Sequence, residues 1–427
     1  MSIYYRIKKC RICGNKDLKS IIDLKEQYIQ GSFIKKNSPK PYQKKIPLKL
    51  VLCSNCSLVQ LLHTTNKEIL YNNYWYESGI NLTMRDHLKN LVQFAVKIHK
   101  RVNTENIKVL DIGCNDGTLL NFYPKKYKKY GIDPSQIIEK IDKKKISTIR
   151  DFFPFQKSKN KKFKEKFDLI TSIAMFYDLD DPNLFVEKIK FHLKEKGIWI
   201  FELSYLIDML KLNSFDTICH EHLEYYSLHS LDYLMSKHDL KIFKITKNDI
   251  NGGSIRCFVT HNENLNYDSN TNKKIIIKMM NYEKKLKIKQ KKIYVKFNNK
   301  ILKLKNKLNE KISKIIKQNK KIFILGASTK GNTILQFIGI NQKKIPYAIE
   351  RNQEKIGART IGSNIKIISE NDVKNIELNF KLVLPWHFRS EIVKRELNYI
   401  KDGGKLIFPL PSLLIINKNN YKKFIKN

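Results

Sequence analysis

No run of 18 consecutive apolar residues occurs anywhere in this 427-residue chain, so no transmembrane helix is expected. The opening residues Met1-Ser-Ile-Tyr-Tyr-Arg-Ile-Lys-Lys9 lack the apolar stretch a signal peptide needs, which places the chain in the cytoplasm. Acid is scarce: 40 Asp and Glu stand against 82 Lys and Arg, a formal net charge of +42. Such an excess suits phosphate-bearing partners in principle. The basic residues, however, are mostly lysine, spread among Asn, Ile and Tyr, whereas nucleic-acid surfaces favour clustered arginine. No nucleic-acid partner is expected on that ground, although a phosphorylated small substrate fits. The seven cysteines do not form a disulfide framework, because four fall into two close pairs and three are scattered, which in an intracellular chain points to metal. What is present is ample apolar material, 42% hydrophobic and 11% aromatic, at a length sufficient for two or three separate cores.

The chain divides into four stretches. Residues 1–66 hold both cysteine pairs and little helical periodicity. Residues 67–262 contain, from about 105, short apolar runs alternating with amphipathic segments: candidate strands Lys108–Asp111, Tyr130–Asp133, Phe167–Ser172 and Gly197–Glu202, with a helix over Asn183–Leu193. Strands separated by helices mean an α/β fold with a parallel, Rossmann-like sheet. Residues 263–320 form a helical connector: between 270 and 320 there is no Pro or Gly, and Ile301, Leu304, Leu308, Ile312, Ile315 and Ile316 recur at threes and fours, as in a long amphipathic helix or helical hairpin. Residues 321–427 read as a second α/β unit, with strands at Lys321–Leu325, Tyr347–Glu350, Lys381–Pro385 and Lys405–Phe408.

Cys10-x-x-Cys13 and Cys53-x-x-Cys56 each place two thiolates on one turn, and two such turns complete a tetrahedral zinc site. The long spacing between the pairs leaves room for a hairpin insertion, and Gly14 supplies the positive φ that a thiolate-gripping turn often needs. With four protein ligands no coordination position stays open, so the expected zinc is structural.

After the strand ending at Leu110, Asp111-x-Gly113-x-Asn115-x-Gly117 turns directly into a helical segment, allowing a ligand close approach to backbone amides. Asp133 ends the next strand 22 residues later and can accept from both hydroxyls of a ribose. The dinucleotide fingerprint Gly-x-Gly-x-x-Gly is absent; Asp-x-Gly-x-x-x-Gly is the methyltransferase form of this loop, for S-adenosylmethionine. Asp151 is placed to accept from an adenine amino group, with Phe152 on the ring. Further on, His220-Glu221-His222-Leu-Glu-Tyr225-Tyr226 is dense in titratable groups. A histidine is the natural base for a proton next to a ketone, while a metal site would want the helical His-Glu-x-x-His spacing, which is missing.

Taken in order, these features resemble the sugar C-methyltransferases that methylate C-3 of dTDP-4-keto-deoxyhexoses. The likeness spans nearly the whole chain: the four-cysteine module, Tyr74-Trp-Tyr76-x-Ser78, the Asp111 loop, Phe215 to Ser227, Gly252-Gly-Ser-x-Arg256, Gly326-Ala-x-x-Lys330-Gly-Asn332, Lys355-x-Gly357 and Pro385-Trp386. The resemblance implies that His222 takes the C-3 proton as general base, that Glu221 orients the sugar or the base, and that Tyr76 holds substrate across the pocket, with His220 a further catalytic candidate. Tyr74, Ser78 and Tyr225 are then substrate contacts, and Gly326, Lys330 and Asn332 bind nucleotide or pyrophosphate. Two departures stand out: Cys219 replaces the family's tyrosine before His-Glu-His, and a histidine expected after the fourth strand is replaced within Ala174–Asp178. Both put the identity of the sugar in question. The expected partner is a small nucleotide sugar, with no membrane and a monomeric or dimeric enzyme.

Three other functions compete. An RNA-modifying methyltransferase would carry an Asn/Asp-Pro-Pro-aromatic or Pro-Cys motif after the fourth strand, where Ser172-Ile-Ala-Met-Phe-Tyr-Asp-Leu179 stands instead. A sugar O-methyltransferase would keep the donor loop but need no carbon acid. A non-catalytic nucleotide-sugar binder would lose nothing on His222→Ala.

Overall fold

The computed structural model describes residues 3–36, 41–71, 77–100, 102, 105–154, 165–374 and 376–425. The central sheet contains β1 (Lys108–Ile112), β2 (Lys128–Ile132), β3 (Ser147–Ile149), β4 (Phe167–Ile173), β5 (Leu193–Ser204), β6 (Leu240–Asn248) and β7 (Ser254–His261). Their spatial order is β3-β2-β1-β4-β5-β7-β6. β1 to β5 pair in parallel, and β7 and β6 close the sheet antiparallel. β4 is buried along all but its last residue, and β5 from Gly197 to Leu203, as suits strands covered on both faces. Helices α1 (Leu82–His99), α2 (Pro182–His192) and α3 (Leu228–Lys237) are set by local chemistry. Asn81 and Asp181 cap the first two by accepting from Met84 N and Leu184 N, Pro182 sits in the first turn of the second, and Ser227 and Ser230 form a capping box on the third.

The predicted connector is two helices, α4 (Asn270–Lys285) and α5 (Lys291–Lys317). Tyr294, Phe297, Ile301, Leu304, Leu308, Ile312 and Ile315 form the buried stripe of α5, while Ile316 lies on the outer face. The second α/β unit has β8 (Ile322–Leu325), α6 (Thr329–Ile338), β9 (Tyr347–Glu350), β10 (Arg359–Thr360), β11 (Lys366–Ser369), β12 (Phe380–Val383), β13 (Lys405–Phe408) and β14 (Leu414–Ile416), ordered β14-β13-β12-β8-β9-β11-β10. No helix among the described residues is long and apolar enough to cross a membrane.

The N-terminal module departs from a free-standing unit. Between its cysteine pairs, Leu18–Gln27 and Ile46–Cys53 run antiparallel from Leu18↔Cys53 to Gln27↔Ile46, which is the hairpin insertion that the spacing allows. Beyond them, Phe33–Ile34 adds to the edge strand β10 of the C-terminal sheet. From the other side, Glu224–Tyr225 of the central unit pairs with Val59–Gln60 of the module. The hairpin, α5 and the C-terminal sheet share one hydrophobic core. The module is therefore stitched into both of the other units, and the loop carrying His222 is one of the stitches.

Candidate active site

The four sulfurs of Cys10, Cys13, Cys53 and Cys56 lie within 4.8 Å of one another. Cys10 Sγ is 3.5 Å from Cys56 Sγ, and Cys13 Sγ is 3.4 Å from Cys53 Sγ. Four thiolates on one zinc at its usual bond length sit roughly 3.8 Å apart, so these residues fit the ion with little adjustment. Gly14 and Ser57 follow the two pairs with φ of +73° and +60°, and their amides donate back to Cys10 O and Cys53 O. The two pairs thus make matching turns.

Ligand-binding clefts of α/β sheets open at the carboxyl ends of the strands, and a cavity of about 970 Å³ opens there here. One wall is the loop after β1. Asp111 is buried and receives Thr171 Oγ1 at 2.5 Å; burial pushes its carboxyl up to about 7, with Asp133 and Asp116 adding to the rise and the Thr171 hydroxyl opposing it. Gly113 needs its positive φ of +74°, and a Cβ there would press on Met175 at 3.0 Å. Asn115, also at positive φ, donates its amide to Asp133 Oδ2 at 2.9 Å. Asp133 Oδ1 takes Ser135 N and Oγ at 2.8 and 2.5 Å, so this carboxylate ties the ends of β1 and β2 together while still facing the cavity. Ser78 joins the wall through its amide, which donates to Asn115 Oδ1 at 2.9 Å. Asp151 and Phe152 also line it, with the Lys67 ammonium 4.2 Å from the Phe152 ring centre. Gly117 stands just outside the lining and starts the helix Thr118–Asn121 against Ile141. A turn built for close approach, two cavity-facing carboxylates and an aromatic ring fit the ribose, adenine and amino-acid ends of S-adenosylmethionine.

His222 and Glu221 line the same cavity. His222 Nδ1 is 2.7 Å from the Thr217 carbonyl oxygen, which can only accept, so Nδ1 carries the hydrogen and Nε2 keeps its lone pair. The Tyr177 ring meets the imidazole edge-on at 4.4 Å. Burial pulls the His222 pKa down to about 3, and the nearby Lys330 charge adds to the drop. Burial alone lifts Glu221 to about 7. The Glu221 carboxylate lies against the backbone of Gly31, where a Cβ would come 2.1 Å from its Oε1, so a larger residue there would have to displace this carboxylate. Cys219, Glu221 and His222 offer atoms within 4.8 Å of one another. The Lys330 ammonium beside them opposes a metal cation in this cluster.

Other expected site residues are placed elsewhere. His220 is not a second base: its ring is buried outside the cavity between Gln30 Oε1, 2.8 Å from Nδ1, and Ile46 O, 3.1 Å from Nε2, so it fastens the loop to the N-terminal hairpin. Tyr225 lies in the stitching strand, buried beside Cys219 and away from the cavity lining. Gly326 packs under Pro385, whose Cδ would be 2.8 Å from a Cβ. Asn332 is turned inward, donating to Gln30 O at 2.7 Å, and so joins α6 to the hairpin instead of meeting ligand. Lys330 does reach the cavity, but beside His222. Tyr74 and Tyr76 lie outside the described residues.

Several lining residues carried no expectation. Glu202 lies near the end of β5 and is held by His87 Nε2 at 2.6 Å, Arg256 Nε at 2.7 Å and Asn248 Nδ2 at 3.0 Å. Gly31 and Phe33 come from the N-terminal module; Lys355 and His387 come from the C-terminal unit. Lys355 Nζ donates to Ala327 O at 2.9 Å and lies 4.9 Å from the Phe33 ring centre. His387 directly follows the Pro385-Trp386 pair, a sequence signal that could have singled it out.

Three family models match in series: a zinc binding domain over residues 10–71, a methyltransferase domain over 81–245 and a C-methyltransferase C-terminal domain over 249–411. The chain is 25% identical over 415 residues to the C-methyltransferase NovU of Streptomyces niveus, covering 96% of this chain and 97% of that protein. Among solved structures, an S-adenosylmethionine-dependent methyltransferase from Clostridium acetobutylicum aligns over 42% of this chain and 92% of its own, at 16% identity and a TM-score of 0.32. Magnesium protoporphyrin IX methyltransferase of Synechocystis with bound SAM aligns over 44% of this chain and 86% of its own, at 10% identity and a TM-score of 0.33.

Proposed function

Because the chain belongs to the S-adenosylmethionine-dependent C-methyltransferases that carry a zinc-binding module, we propose that it methylates the carbon next to the keto group of a nucleotide-linked sugar, with His222 as the base. One observation carries this reading. The Nδ1–H of His222 is committed to the Thr217 carbonyl, which leaves Nε2 as an acceptor in the cavity that the Asp111–Asn115 loop also lines. A carbon next to a carbonyl is acidic because the electron pair left on it delocalises onto oxygen. A neutral imidazole fixed in one tautomer suits that proton.

S-adenosylmethionine, when bound, supplies a methyl group made electrophilic by its sulfonium. The residues that would hold it are Asp111, Gly113, Asn115, Asp133, Asp151 and Phe152. A cavity of about 970 Å³ is at the upper end for small-molecule sites and suits two reactants side by side. Holding both in one orientation replaces a bimolecular encounter, an effect worth several kcal/mol of barrier. Glu221, with its carboxyl near 7, can share a proton with a sugar hydroxyl. Ser328, Asn352 and Lys355, opposite Phe33 of the N-terminal module, suit the nucleotide end. Met175, Tyr177 and Asp178, in the segment where the family has a histidine, line the same cavity, which favours a sugar other than the best-known deoxyhexoses.

The test is methyl transfer against a panel of nucleotide-linked 4-keto sugars, with products read by NMR. The expected product bears its new methyl on the carbon next to the carbonyl. A methyl on oxygen, or no transfer to any member while RNA is methylated, contradicts the proposal.

A further inference from the structure

A base alone does not make a carbon acid reactive: the charge leaving carbon must settle on the carbonyl oxygen, and that oxygen needs a donor. Two groups of the C-terminal unit line the cavity at the correct end. Lys330 lies in the first turn of α6, and its Nζ donates to Asn251 O at 2.9 Å, using one of the three N–H donors an ammonium carries. His387 follows Trp386, whose Nε1 donates to Asp216 Oδ2 at 2.9 Å and so fixes the turn. The His387 Nδ1 is buried without a hydrogen-bond partner among the described residues. The charge of Lys330 acts on both His222 and His387.

We propose that Lys330 and His387 bind the carbonyl oxygen of the acceptor and stabilise the negative charge that develops there as His222 removes the neighbouring proton. This rests on the carbon-acid reading above and assigns its missing half. The C–H pair becomes a carbon–carbon double bond, the carbonyl π pair moves to oxygen, and the proton goes to His222 Nε2. When carbon then takes the methyl group, the bond from that methyl to the sulfonium sulfur would break with its electron pair staying on sulfur, the carbonyl re-forms, and His222 releases its proton to solvent.

The electrostatics are consistent with this order of events. Without an acceptor, the Lys330 cation opposes protonation of His222. Once oxygen becomes negative, it lies between the ammonium and the new imidazolium, and both positive charges gain a partner. In a site sheltered from water such fixed donors act more strongly than they would in solution. The titratable groups around His222 and Lys330 are Lys330 itself on α6, His387 in the turn after β12, Tyr177 and Asp178 after β4, Asp216, and Cys219 and Glu221 on the His222 loop.

The variants are Lys330→Met, Lys330→Arg and His387→Asn, each in the full-length, zinc-loaded protein with a 4-keto sugar nucleotide that the wild type methylates. Two quantities are read: exchange of the α-hydrogen in D2O without donor, and kcat, KM and the pH profile with donor. For Lys330→Met, exchange and kcat should fall together by roughly 100- to 1,000-fold. The acidic limb of its profile should move to higher pH, because removing a cation raises the His222 pKa and the base works only when neutral. Lys330→Arg should recover part of the rate, and His387→Asn, which leaves the fold's hydrogen bonds intact, should lose roughly tenfold in exchange. Wild-type exchange in Lys330→Met with a raised KM assigns the lysine to the nucleotide and overturns the inference. So does a rate loss with an unmoved pH profile. A wild type that never exchanges the α-hydrogen and methylates oxygen instead overturns the carbon-acid reading itself.

Discussion

His222→Asn is expected to lower methyl transfer by roughly 100- to 10,000-fold, the range over which positioned proton transfer contributes to catalysis. Asparagine can still donate to the Thr217 carbonyl as Nδ1 does now, so the loop keeps that anchor. It offers no basic nitrogen in the cavity. Donor affinity should change less than about threefold, because the Asp111 loop and Asp133 are held by their own hydrogen bonds to Thr171, Asn115 and Ser135. Turnover assays beside calorimetric titration with S-adenosylhomocysteine measure the two effects separately. A variant with wild-type turnover removes His222 from the chemistry.

Losing the metal should cost nearly as much turnover at a distance from the reacting atoms. Arg11 sits between the first two zinc ligands. Its guanidinium donates to Leu61 O at 2.8 Å and Thr64 Oγ1 at 2.7 Å, and Nε lies 3.5 Å from Glu224 Oε1. Leu61 N in turn donates to Leu223 O at 2.8 Å, one residue from His222. Structural zinc contributes roughly 10–16 kcal/mol to the folding of small zinc peptides. Once it is gone, the turns at 10–14 and 53–57 keep backbone hydrogen bonds such as Gly14 N to Cys10 O and Ser57 N to Cys53 O, but lose the ion that clamps their four sulfurs together. The wild type should carry one zinc per chain; Cys10→Ser should bind less and lose roughly 100-fold in turnover, as displaced catalytic groups do. It should still bind S-adenosylhomocysteine, because the turns after β1 and β2, where we place the donor, are held by their own hydrogen bonds. Metal analysis, titration and turnover on one preparation check all three; full turnover without zinc would contradict the coupling.

Much of this architecture is legible in the sequence, for physical reasons. Strands covered on both faces carry short clusters of apolar residues, as in Val109-Leu110 and Leu169-Ile170, and a helix with one buried stripe shows its period, as α5 does. The turn after β1 is legible because Gly113, Asn115 and Asp133 act through local backbone geometry. The stitching is not. Phe33–Ile34 and Glu224–Tyr225 are two-residue strands, too short for any period to show, yet they decide which units meet around the cavity. Gly326, Asn332, His220 and Tyr225 share motifs with cavity residues but hold the walls together, because residues adjacent in sequence point in different directions. His387 and Gly31 enter the cavity from units remote in the chain, and only the folded arrangement brings them to His222.

The most direct measurement places the wild-type protein in D2O with a 4-keto sugar nucleotide that it methylates, without donor, and follows the hydrogen on the carbon next to the carbonyl by NMR. That hydrogen should exchange for deuterium at a rate that His222→Asn reduces to the uncatalysed background. Exchange that is absent in the wild type, or equally fast in the variant, would contradict proton removal by His222.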